Sequence, residues 1–85
     1  MNEIYEAIEQ KIKESGYPYP VNGYSIYHDI CDEIDGKENG TYLLLSKQEN
    51  DAVFEYQVTI MDENFNLSVL TITHENKTYR IDFDN

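Results

Sequence analysis

Eighty-five residues, one cysteine and a net charge of −11 describe a short, strongly acidic chain. That length allows one domain (1–85) with a thin core, because a chain this size hides only about 60–65% of its surface. Seventeen acids against six bases, running from Glu3 to Asp84, exclude direct binding to nucleic-acid phosphates and to an anionic membrane.

The first predicted element is a helix over "IYEAIEQKI", residues 4–12, where Ile4, Ile8 and Ile12 recur at i, i+4, i+8 and draw an apolar stripe down one side. Asn2 is placed to cap it, Glu3 and Glu6 suit its positive end, Lys11 and Lys13 suit its negative end, and Ser15-Gly16 stops it. Pro18 and Pro20 then hold Tyr17 and Tyr19 extended. Asn22-Gly23 reads as a turn. The two linker tyrosines have two readings: a patch over the edge of a small core, or contacts for a docking partner.

"IYHDICDEI", residues 26–34, repeats the phrase with Ile26, Ile30 and Ile34, with Ser25 as the expected cap and Gly36 as the closing residue. This stretch carries the densest chemistry in the chain. With Ile26 at zero and about 100° per residue, the isoleucine face centres at about 40°, Cys31 falls at about 140°, His28 at about 200° and Asp32 at about 240°. His28, Cys31 and Asp32 therefore adjoin one another away from the core. A metal site needs three or four converging ligands, and one helix face offers these three at most. A solvated face with a half-buried thiol is the expected arrangement, with no metal and no cofactor. Neither Gly36 nor Gly40 places carboxylates where a calcium-binding loop needs them.

Beyond residue 36 the period changes from helical to alternating. Glu-Asn occurs at 38–39, 49–50, 63–64 and 75–76, and turn residues at such even intervals mark successive antiparallel strands. The strands are expected at 41–47, 52–61, 66–73 and 78–83. In the second, Phe54, Tyr56, Val58 and Ile60 face the core and Glu55, Gln57 and Thr59 face water; in the fourth, Tyr79, Ile81 and Phe83 oppose Thr78, Arg80 and Asp82. In the third, Leu67 and Val69 conflict in phase with Leu70 and Ile72, so a bulge is expected. The fold class is α+β: two N-terminal helices packed on a four-stranded antiparallel meander, ααββββ. The sheet's outer face is expected to be polar and the whole exterior negative.

No nucleophile, phosphate-cradle or C-x-x-C motif is present, so no catalytic residue is expected. The chain opens at Met1 without a charged-then-apolar leader, no apolar run nears the roughly 20 residues a bilayer requires, and the single cysteine fits a reducing, cytoplasmic compartment. Five acids in ten residues, Asp29, Asp32, Glu33, Asp35 and Glu38, are with Tyr17 and Tyr19 the candidate contacts for a partner. In size and charge the chain resembles small acidic inhibitors that imitate the DNA backbone, such as anti-CRISPR and phage antirestriction proteins, and acidic immunity proteins that block toxin nucleases. That resemblance implies a non-enzymatic module docking on a basic protein, such as a nuclease, a toxin or another nucleic-acid-binding protein. The alternative is a structural domain that forms a homo-oligomer through a sheet edge or face. Acidity serving only solubility is the plain reading of the same charge.

Overall fold

The computed structural model describes residues 3–62 and 64–83. Helix α1 (Glu3–Glu14) and helix α2 (Gly23–Ile34) precede strands β1 (Gly40–Lys47), β2 (Val53–Met61), β3 (Asn64–His74) and β4 (Lys77–Asp82). The strands form one antiparallel sheet in the order β1-β2-β3-β4, so the fold is the expected α+β meander with β1 and β4 as its edges. The Asn2 cap and the Glu63 half of one Glu-Asn pair lie outside the described residues.

Isoleucines seal the inner face of the sheet. Ile8 and Ile12 from α1, and Ile26 and Ile30 from α2, are buried against Leu44, Phe54, Tyr56, Val58, Leu70, Ile72 and Ile81. The two stripes are shorter than their spacing implies, since Ile4 overhangs at 51% exposure and Ile34 is half-buried. The Lys11 ammonium donates to the Asp82 carbonyl at 3.2 Å and ties α1 to the end of β4.

The phase conflict in β3 resolves as a bulge at Ser68. Val69 pairs with Gln57 while Leu67 pairs with Val58, leaving Ser68 as the extra residue. One added residue restores phase, so Leu67 and Leu70, three apart, both face inward, and Val69 lies on the outer face beside Gln57 yet stays buried. The bulge is held on both sides. The Ser68 hydroxyl donates to the Gln57 carbonyl at 3.1 Å, and the Phe83 amide donates to the Ser68 carbonyl at 2.8 Å.

Asn22-Gly23 is no turn, and Ser25 is not the cap. Asn22 is the N-cap of α2, and its side-chain oxygen accepts the Ser25 amide at 3.1 Å. Gly23 is the first residue of the helix and is buried where α2 crosses α1. The Gly23 amide donates to the Glu9 carboxylate at 2.8 Å, and a Cβ on Gly23 would overlap the Tyr5 carbonyl. A glycine signal ordinarily read as a turn thus marks close backbone approach. The helix C-termini match expectation: Gly16 (φ 95°) and Gly36 (φ 81°) take the left-handed conformation that ends a helix.

The Glu-Asn pairs work in different ways. Glu75 (φ 50°) and Asn76 (φ 67°) form the two-residue connection between β3 and β4. Asn50 and Asn39 act through their side chains, accepting the amides of Ala52 at 3.2 Å and Asp62 at 3.1 Å. The positive φ angles beside them fall on Asp51 and Asp62 instead. His74 is the buried last residue of β3, with Nε2 3.0 Å from the Asn50 carbonyl.

The centre of the core holds one unsatisfied group. Tyr56 is 1% exposed and its hydroxyl reaches no hydrogen-bond partner. Burial first, and the Asp29 carboxylate second, push this phenol well above its ordinary value; the Ser46 hydroxyl opposes the shift without meeting hydrogen-bond geometry.

Two outcomes follow from the packing. Gly23→Ala forces the helices apart and lowers stability by about 3 kcal/mol in urea denaturation; an unchanged midpoint would contradict the crossing. Tyr56→Phe removes a buried orphan hydroxyl and raises stability by about 1 kcal/mol. The folded phenol keeps its proton while the unfolded one ionises around the ordinary value of 10.0, so stability drains away as pH rises past it. The phenylalanine variant shows a shallower alkaline loss in pH-dependent denaturation.

Candidate functional site

The outward side of α2 is where the chain concentrates charge. Burial of Ile26 and Ile30 turns the helix so that Asp29, Asp32 and Glu33 are exposed, and the chain continues through exposed Asp35 and Glu38. None of these five carboxylates lies within ion-pair distance of a described cation. Lys37, in their midst, holds its ammonium 5.4 Å from the centre of the Tyr42 ring. The Tyr42 hydroxyl donates to the Glu38 carbonyl at 2.8 Å and pins the segment between α2 and β1.

The charge order of α2 runs against its dipole. Helix α1 has Glu3 and Glu6 in its first turn and Lys11 and Lys13 in its last. Helix α2 has no acid in its first turn and no base in its last, and Asp32, Glu33 and the C-cap Asp35 crowd its negative end. Anions at a helix C-terminus each cost roughly 0.3–1 kcal/mol at low ionic strength, and the like pairs Asp29–Asp32 and Asp29–Glu33 at i+3 and i+4 add to that cost.

The two linker tyrosines part company. Tyr17 is 5% exposed, in edge contact with Phe54, Tyr79 and His74, and its hydroxyl accepts the Asn50 side-chain amide at 3.0 Å. Its ring belongs to the core. Tyr19 packs edge-on against Tyr17 and His74 but stays 42% exposed, so one ring of the pair presents a surface.

His28 is exposed and lies against the Tyr24 ring, with centroids 4.2 Å apart. Cys31 is half-buried on the helix flank, beside an open hollow of about 510 Å³ shared with Tyr27, Ile34, Asp35 and Phe65 but not His28. No three His, Cys, Asp or Glu side chains among the described residues are grouped to hold a metal ion. Partial burial, and behind it the charge of Asp32, pushes the Cys31 thiol above its ordinary value, which keeps it protonated and a poor nucleophile at neutral pH.

The outer face of the sheet departs from expectation. Glu55, Gln57, Thr59, Arg80 and Asp82 stand on it as anticipated, but β1 adds Leu43 and Leu45, at 65% and 67% exposure, and β2 adds Met61 at 64%. The signal lay in the run Leu43-Leu44-Leu45, since a strand can bury only alternate members of such a run. This face is also not acidic: its charged residues are Lys47, Glu55, Arg80 and Asp82, two of each sign.

The class defined by these observations is a small acidic α+β domain with segregated charge. No protein-family model, curated protein or solved structure matches the chain. No helix among the described residues is long and apolar enough to cross a membrane.

Alkylation of Cys31 by iodoacetamide has its onset at a higher pH than that of an exposed thiol. Asp32→Asn removes the smaller of the two causes and moves the onset part of the way back. An onset at or below the ordinary thiol value, read from labelling rate against pH, would refute this account of the site.

Proposed function

We propose that the chain is a non-enzymatic, cytoplasmic protein-binding module that docks the acidic side of α2 on a basic, nucleic-acid-binding protein and stands in for DNA charge there. The observation that carries the reading is the reversed polarity of α2: unpaired acids gathered at the helix end where they cost stability. Where a local rule is broken at a cost, function is the usual reason. The spacing supports it further. Asp29, Asp32, Glu33 and Asp35 set four carboxylates along roughly 10 Å of helix axis, one per about 2.5 Å, against one charge per about 1.7 Å in duplex DNA. The net charge of −11 speeds encounter with a cationic surface. Tyr19 stands apart from this row: it packs on His74 at the end of β3, whereas Asp35 shares a hollow with Asn64 and Phe65 at its start, so the acids alone form the contact.

The test uses D29N/D32N/E33Q/D35N/E38Q. Wild-type chain immobilised on resin captures, from a lysate of the source organism, a basic protein whose DNA or RNA binding is lost when free chain is added. Capture falls as salt approaches about 0.5 M, where screening acts within about 4 Å. The neutralised variant loses capture yet gains about 1 kcal/mol of stability in urea, because its helix end is relieved. Capture that survives both high salt and neutralisation removes the proposal.

A further inference from the structure

We infer that the outer face of the sheet is an interface between two copies of this chain, joined through Leu43 and Leu45 about a two-fold axis. The two leucines sit side by side on edge strand β1, two-thirds exposed, with Leu43 in register with Gln57 and Val69 and Leu45 in register with Glu55, Thr71 and Arg80. An apolar pair on a free edge calls for a cover. The strand has no proline, no bulge on its paired side and one cation, Lys47, at its end, so nothing in its own sequence shields it.

Charge identifies the occupant. Each copy carries −11, so two copies repel over most of their surfaces. The outer sheet face sets Lys47 and Arg80 against Glu55 and Asp82, and carries a surplus of about one charge once Asp51, 3.7 Å from Lys47 at its corner, is counted, so nearly all the excess of acid lies elsewhere. This is the surface on which a second copy meets the least repulsion. A two-fold axis also lets the cations of one copy lie near the anions of the other, as an isologous contact requires. A cationic partner has no such reason to choose this face, because nothing here steers it. The face measures about 19 Å across four strands and about 28 Å along them. That is small beside the roughly 800 Å² per partner of a standard interface, so the dimer is reversible and concentration-dependent. Back-to-back association leaves both α2 surfaces pointing outward, and it stands whether or not a basic partner exists.

Sedimentation of the full chain over a concentration series, at low and high salt, tests the inference. The expected mass rises from 10.0 kDa to twice that value as concentration increases. The midpoint shifts to lower concentration at high salt, because screening weakens repulsion between like-charged copies. That sign is opposite to the one expected for a basic partner. Leu43→Glu with Leu45→Glu stays monomeric throughout, with unchanged circular dichroism and undiminished capture of a basic protein; L43S/L45S serves if the glutamates unfold the sheet. A wild-type chain that is monomeric at every concentration and salt, or a dimer that survives the leucine substitutions, overturns the inference. Loss of capture in D29N/D32N/E33Q/D35N/E38Q with the dimer intact bears on the basic-partner reading alone.

Discussion

The helices cover the sheet as one unit because their backbones touch at Gly23. Glycine alone admits the Tyr5 carbonyl at that point, and the Glu9 carboxylate accepts the amide that α2 leaves open at its start. With α1 and α2 locked there, Tyr5 fills the seam edge-on against Tyr24 and Tyr27. The rotation of α2 is then set. Ile26 and Ile30 are buried against the sheet, which leaves Asp29, Asp32 and Glu33 exposed. A contact with no charge of its own thus decides where the charge of the molecule is displayed.

The same geometry divides the surface into two kinds. The helical side holds unpaired acids in a row, while the far side of the sheet holds leucines, threonines and a balanced set of ions. A thin core makes this division sharp. With one sheet and one helical layer, strand residues that do not face the helices stand on the uncovered side, where only their neighbours in the sheet shield them, as they do Val69. The leucine run in β1 cannot hide both of its phases, so its outer members emerge on the side opposite the acids. The first surface is dominated by charge, whose reach is the Debye length, and the second by apolar groups, whose contacts are short-ranged. Salt screens the first and leaves the apolar character of the second untouched.

Much of this architecture was legible in the sequence because its signals are periodic. Isoleucines at i, i+4, i+8 and the alternation of Phe54, Tyr56, Val58 and Ile60 report local geometry directly, and the phase conflict of β3 announced its bulge. What stayed hidden depends on neighbours distant in sequence. Asn22-Gly23 carries the letters of a turn, and only the crossing of α1 shows that the glycine is needed for closeness. His74 follows Thr71-Ile72-Thr73 and precedes Glu-Asn, yet Tyr17 packs against its ring, the Asn50 carbonyl meets its Nε2, and it is buried. The five acids were visible as a cluster, and a place for Tyr17 at the core was one of its two readings; what the sequence did not show is that Asn50, 33 residues on, donates to its hydroxyl there, while Tyr19 stays exposed.

The position of Tyr56 shows how narrowly a core of this size is balanced. Its ring supplies bulk that an 85-residue chain can scarcely do without, and its hydroxyl is buried without a hydrogen-bond partner, with the Ser46 hydroxyl and the Asp29 charge nearby. A buried hydroxyl without a partner costs about 1–3 kcal/mol, a large fraction of the roughly 5 kcal/mol ordinary for so small a domain. The reversed dipole of α2 draws on the same small reserve. Both costs meet at one helix, which buries Ile30 against the sheet while turning Asp29 outward. A chain selected for stability alone would place phenylalanine at 56 and cations in the last turn of α2. The acids at that turn therefore do not serve the stability of the helix they end.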